Sequence, residues 1–249
     1  FKAVSSYTTQ LNTEDMRFRN LMFNGSVMIP KEKIEEIYYS FNENYNLRNR
    51  LSATKEQLIK ILNRKIHVEM RKKWVEEAVQ NLSREEIMQM HKDGEEEILN
   101  TDKEFKFLAR QIVVKAFRRV QRQIVRAHFL SINNQFVHML RNVPNILDLS
   151  KHGIDAATWK RDIEATVGRL KEGRLSLADA TAYIYLYDQM TGKRGDRDIR
   201  YLFIDEVQDY SAFQLAFLKY SFPRAKFTLL GDLNQAIFTK ENSRSLLGQ

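Results

Sequence analysis

The chain has 249 residues, with 40 Lys+Arg against 32 Asp+Glu and a formal net charge of +8 at pH 7. That length suits one large domain or two small ones, and 43% apolar residues can fill a core. The lack of any cysteine excludes disulfide frameworks, Cys-ligated zinc, iron–sulfur clusters and thiol catalysis.

No apolar run approaches the roughly 18 residues of a membrane span, and no signal-peptide pattern opens the chain. A cytoplasmic location and no membrane partner are therefore expected. The basic balance permits an anionic partner such as nucleic acid without proving one. Nine Gly and three Pro are few for this length and argue against an all-β fold. The sequence opens on Phe1 and stops at Gln249 without a terminating signal, which reads as a piece of a longer protein.

In chain order, Leu21-Met22-Phe23 and Ser26-Val27-Met28-Ile29 flank Asn24-Gly25, a hairpin signal because both turn residues must accept positive φ. Pro30 opens a helix with Ile34, Ile37, Tyr38 and Phe41 on one face. A long helix is expected from Thr54, with Gln57 as its capping partner and Leu58, Leu62, Ile66, Met70 and Trp74 recurring every four residues. Ser83 with Glu86 and Thr101 with Glu104 repeat the start signal. The acidic stretch between them reads as a short helix and an exposed loop.

Phe105 to Leu147 contains no Asp or Glu. Within it Val113, Phe117, Val120, Ile124 and Ala127 form an apolar stripe. Lys115, Arg118, Arg119, Arg122 and Arg126 form a second stripe, about 200° around the helix. The cationic row is either a solvated helix face or a contact surface for nucleic-acid phosphates or an acidic protein. Pro144 and the Ser150–Gly153 region mark a break. Helices are then expected over Asp155 to Leu170, with Trp159, Ile163, Val167 and Leu170 inward, and from Ser176 with Asp179 towards Met190. Trp74 and Trp159 read as core. His67, His91, His128, His138 and His152 are scattered without metal-ligand spacing.

Tyr201-Leu202-Phe203-Ile204 is an apolar run followed by Asp205-Glu206, as in a parallel strand buried on both faces. Ser211 and Gln214 cap a helix, and Lys226 to Leu230 reads as the next strand, ending in Gly231-Asp232 with Gln235 behind. Strand, helix and strand make a βαβ unit with two polar tips at one edge, where ligands of parallel sheets sit.

Ile204-Asp205-Glu206-Val207-Gln208-Asp209 resembles motif II of the UvrD/Rep class of superfamily 1 helicases. Leu229 to Phe238 (LLGDLNQAIF) is similar to motif III at the family's spacing, the two together covering roughly the last fifth of the chain. Asp205 to Ser211, preceded by a helical insertion with the hairpin FNG-x-V-x-IP, resembles the HelD family, ATPases that bind bacterial RNA polymerase.

The resemblance implies half of a RecA-like α/β P-loop NTPase domain. Residues 1–150 would be a mainly helical arm with the hairpin at 21–29, and residues 151–249 the partial ATPase domain. It implies ATP and Mg²⁺ as cofactors. Asp205 would hold Mg²⁺ through water, Glu206 would accept a proton from the attacking water, and Gln235 would sense the γ-phosphate. Gln208, Asp209, Gly231 and Asp232 would couple the nucleotide site to the rest of the protein, with Asp209 structural or coupling in role.

No G-x-x-x-x-G-K-[ST] occurs, so this chain alone is expected to be inactive and its longer parent to be the ATPase. Past motif III the class carries an arginine-and-tryptophan run that meets single strands; here Phe238 is followed by Thr239-Lys240-Glu241. Phe238 and Lys240 are the candidate strand contacts, with a poor grip expected. Two functions stay open: an arm that enters RNA polymerase, released by ATP hydrolysis, or a DNA helicase whose insertion touches the duplex; the nucleic-acid partner is DNA or RNA.

Overall fold

A computed structural model describes residues 2–42, 44–92, 101–192 and 195–231. By packing, the chain forms two units, Met16–Ser131 and Phe1–Asp15 with Ile132–Gln249. The arm and ATPase portions were expected to meet at residue 150. In packing terms helix α1 (Lys2–Gln10) and the residues from Ile132 onward group with the strands that lead to Asp205 and Gly231.

In the Met16–Ser131 unit, β1 (Leu21–Phe23) pairs antiparallel with β2 (Ser26–Ile29). Asn24 and Gly25 take φ of 47° and 77°, the two positive values that a two-residue hairpin turn requires. Helix α2 (Lys31–Tyr39) follows Pro30 and buries Ile34, Ile37 and Tyr38.

The next helix, α3 (Leu47–Glu69), starts seven residues before the expected Thr54, because Asn46 caps it by accepting from the Asn49 N–H at 2.9 Å. Thr54 is an interior residue, fully buried, whose hydroxyl donates to the Arg50 carbonyl at 2.8 Å. Leu58, Leu62 and Ile66 are buried as expected. The periodic run does not continue through Met70 and Trp74: the backbone turns at Arg71–Lys72, and Trp74 lies in a separate helix, α4 (Lys73–Gln80). Its indole is half-buried and donates to Glu69 at 2.9 Å.

Helix α5 (Arg84–Lys92) has the expected reciprocal cap between Ser83 and Glu86. Helix α6 (Thr101–Val125) packs on α3, α4 and β1. Val113, Phe117, Val120 and Ile124 are all at most 1% exposed. Ala127 is also buried, but it lies past the helix end at φ 56°. The five residues of the cationic row are all exposed.

In the other unit, α1 packs on α7 (Ile132–Ile146) and on α9 (Leu177–Thr191). The Tyr7 hydroxyl meets His138 Nδ1 at 2.7 Å, and Gln135 donates to the Asp15 carbonyl at 2.9 Å.

Pro144 does not break α7, contrary to expectation; it lies inside the last turn. A proline there leaves the Leu140 carbonyl without its helical donor. The Trp159 indole, half-buried on α8 (Ala156–Lys171), donates to that carbonyl at 3.0 Å and takes the missing N–H's place. Asp155 caps α8 and Ser176 caps α9, both as expected. Arg169 ties the two helices through Asp179 at 2.7 Å.

Strand β3 (Tyr201–Ile204) pairs parallel with β4 (Lys226–Leu229), in register from Tyr201–Lys226 to Ile204–Leu229. Between them runs α10 (Ala212–Ser221), whose start is a complete Ser211–Gln214 capping box. Tyr185 of α9 meets Phe213, Phe217 and Tyr220 of α10 edge-on. The expectation of a strand buried on both faces is corrected here. Tyr201 and Phe203 are 65% and 71% exposed, and only Ile204 is buried, because among the described residues no helix covers their side of the sheet. No described helix is long and apolar enough to cross a membrane.

Candidate functional site: the acidic edge of the parallel strands

The register of β3 and β4 brings both strand ends to the same edge. The ladder extends one step further, with Leu230 N–H donating to the Ile204 carbonyl at 2.8 Å and Val207 N–H to the Leu230 carbonyl at 2.9 Å. Asp205 and Glu206 therefore leave β3 directly beside Gly231.

The chain reverses sharply there. Glu206 adopts φ 51° and ψ 45°, a left-handed conformation that costs a β-carbon-bearing residue roughly 1–2 kcal/mol. Two hydrogen bonds hold the turn. Asp205 Oδ1 accepts from the Glu206 N–H, and the Glu206 carbonyl accepts from the Asp209 N–H, both at 2.9 Å. Val207–Asp209 forms a short 3₁₀ turn that delivers the chain to the Ser211 cap of α10.

Asp205, Glu206 and Asp209 are exposed, whereas Val207 and Gln208 are buried. Gln208 Nε2 donates to Glu206 Oε2, so a buried amide restrains the exposed carboxylate. Its other amide atom packs against Gly231. A Cβ at that position would stand 2.2 Å from Gln208 Oε1 and 2.9 Å from the Val207 nitrogen. Only glycine permits this approach. Gly231, Gln208 and Glu206 thus form one chain of contacts across the strand ends.

A cavity of about 550 Å³ opens beside the turn. Asp205, Glu206 and Asp209 rim it on one side, while Leu177 and Ile184 of α9 and Phe217 of α10 line the other. The sequence reading missed the α9 wall. Its signal was the apolar residues lying off the inward face of that helix: Leu177 is 72% and Ile184 46% exposed.

Of the residues assigned from sequence, Asp205, Glu206, Gln208, Asp209 and Gly231 come together at this edge. Asp232, Gln235, Phe238 and Lys240 lie outside the described residues. Lys115, Arg118, Arg119 and Arg122 share one exposed face of α6, and the exposed Arg126 follows directly after its last residue, in the Met16–Ser131 unit.

The donor set here is carboxylate oxygen alone, and no group of three or more potential metal ligands occurs among the described residues. Two hard carboxylates at a solvent-open edge fit Mg²⁺, which takes one or two carboxylates and completes its shell with water and phosphate. They do not fit a metal that needs an all-protein cage.

No curated protein matches the chain. The profile of the UvrD/REP helicase N-terminal domain matches residues 26–244. That span runs from β2 past the end of β4, so the helical unit is matched along with the acidic edge, and the chain belongs to the UvrD/REP helicase N-terminal domain family.

Proposed function

We propose that Asp205 and Glu206 form the acidic half of an ATP-hydrolysing site in a superfamily 1 helicase-like protein of the HelD type, one that couples hydrolysis to remodelling of RNA polymerase and its nucleic acid. Family membership carries ATP and Mg²⁺ use in general. The observation that supports the site assignment is the placement of Asp205-Glu206 at the carboxyl end of a parallel strand, in register with Gly231.

Mg²⁺, when bound with nucleotide, neutralises phosphate charge, and Asp205 is the residue to hold its hydrated shell. Glu206, restrained by Gln208, takes the proton of an attacking water in this reading. Gln235 is the γ-phosphate sensor by family resemblance. RecA-like organisation of the whole domain belongs to this reading, as does the arm role of the helical unit.

The sequence contains no P-loop, so the 249-residue chain alone is expected to show no ATP turnover above background. Turnover by the purified chain that Glu206→Gln abolishes would refute this. A conventional DNA helicase is the second reading, favoured by the match to the general UvrD/REP domain. Strand displacement on tailed duplex by the full-length protein separates the two. The HelD-type reading expects little unwinding together with capture of RNA polymerase. Efficient unwinding that is lost on Phe238→Ala, with no polymerase captured, establishes the helicase.

A further inference from the structure

We propose that the cavity between α9 and α10 is a binding site for a small cationic amphiphile, an apolar body that carries one primary amine. Its apolar side is a continuous stripe. Leu177, Ala180, Thr181 and Ile184 stand at i, i+3, i+4 and i+7 of α9, one face of that helix over a rise of about 10 Å. Phe217 and Leu218 of α10 complete the wall. Leu177 and Ile184 are 72% and 46% exposed, so this wall offers apolar surface that a ligand can cover.

The space is preformed. Tyr185 of α9 meets Phe213, Phe217 and Tyr220 of α10 with ring centres 5.0–6.3 Å apart, and Gln189 donates to the Tyr220 hydroxyl at 3.2 Å. These contacts fix the spacing of the two helices. The rim is held as well: the Glu206 N–H donates to Asp205 Oδ1, and the Gln208 amide restrains the Glu206 carboxylate. The volume of about 550 Å³ falls among small-molecule pockets, which run from roughly 300 to 1,000 Å³.

Charge selects the occupant. Asp205, Glu206 and Asp209 rim the cavity, and no Lys, Arg or His stands among the described residues that line it. Carboxylates beside apolar walls concentrate a negative potential, which draws cations in and repels anions. A neutral apolar body would take water from the acids and return no hydrogen bond. A bare metal ion gains nothing from the apolar wall, and no group of three or more metal ligands occurs among the described residues. An amphiphilic amine meets both sides. Its ammonium donates to the rim carboxylates while its body covers Leu177 and Ile184.

The test uses the intact chain with neither nucleotide nor Mg²⁺, so its outcome is independent of the ATPase reading. Calorimetry compares three probes that share one apolar body: phenylbutylamine, phenylbutanol and phenylbutyrate. The amine should bind about tenfold more tightly than the alcohol and the carboxylate more weakly than both, with added salt narrowing the gap. Ile184→Lys sets a cation in the apolar wall and should weaken amine binding by about tenfold or more. Val68→Lys makes the same charge change at an exposed site on α3, in the Met16–Ser131 unit, and should leave binding within about twofold. Leu177→Ala trims the wall without adding charge and should cost amine and alcohol alike about threefold. Circular dichroism verifies that each variant is folded. Equal affinity for amine and alcohol, or equal losses in Ile184→Lys and Val68→Lys, overturns the proposal.

Discussion

Both units bury a polar side chain next to a chain reversal, and they use it in opposite ways. In the helical unit Arg50 is 1% exposed, and its guanidinium donates to the carbonyls of Tyr38, Phe41 and Asn42 at 2.9–3.0 Å. It also lies over the Tyr38 ring, 5.5 Å from its centre. These carbonyls lie in the last turn of α2 and just past its end, where the helix dipole is negative, so a buried cation there closes the helix without a carboxylate. In the unit that carries the parallel strands Gln208 is 2% exposed, but its amide holds an exposed carboxylate on a left-handed residue. The first arrangement relieves orphaned backbone groups. The second maintains a conformation that the backbone alone disfavours, as functional sites do.

The chain has two tryptophans, one per unit, so each unit can be followed separately. With Trp159→Phe as background, Trp74 reports the helical unit; with Trp74→Phe, Trp159 reports the other. The largest effect is expected at Arg50. Arg50→Ala leaves the Tyr38, Phe41 and Asn42 carbonyls without their donor and opens a cavity where the side chain was, and should lower the stability of the helical unit by about 2–4 kcal/mol in urea unfolding followed by Trp74. A loss below about 1 kcal/mol would mean that water can reach those carbonyls.

Next comes Gly231→Ala, where the new Cβ must displace Gln208 or Val207. A cost of about 1–3 kcal/mol is expected in the Trp159-reported transition, with Trp74 unaffected. In the opposite direction, Glu206→Gly removes the left-handed penalty. It should stabilise the unit that carries the parallel strands by about 1 kcal/mol while removing the proposed base. Stabilisation without function would mark the strain as the cost of the site.

The smallest effect is a pH dependence at Glu69. Burial raises its carboxyl's pKa, but hydrogen bonds from Lys72 and Trp74 outweigh burial and hold it below the ordinary 4.5. An acid held low binds fewer protons folded than unfolded, so stability rises with pH across this range. The contribution is complete above 4.5 and is lost as pH falls through the lower, folded value. Glu69→Gln should flatten that acid limb in the Trp74 signal. An unchanged limb would assign the acid sensitivity to other carboxylates.

What could be read from sequence was what depends on neighbours three or four residues apart. The Asn24-Gly25 turn, the caps at Ser83, Ser176 and Ser211, the two stripes of α6 and the order strand, helix, strand all follow from local chemistry. The misreadings came from partners distant in sequence. Pro144 looked like a helix end because nothing local replaces its N–H; the donor comes from Trp159. Thr54 looked like a cap because it precedes Gln57, yet the helix begins with the Asn46 cap, and Arg50 on its second turn binds the end of α2. At the site, Asp205 and Glu206 were legible as acids after a strand. The left-handed turn, the Gln208 restraint and the α9 wall of the cavity were not, since each depends on tertiary packing.

The central claim is that Glu206 is a base in ATP hydrolysis. It is tested most directly by steady-state ATPase of the full-length protein, wild type against Glu206→Gln, with nucleotide affinity measured in parallel. The account predicts a fall in turnover of about 10²–10⁴-fold with ATP still bound. Turnover within a few-fold of wild type would contradict it.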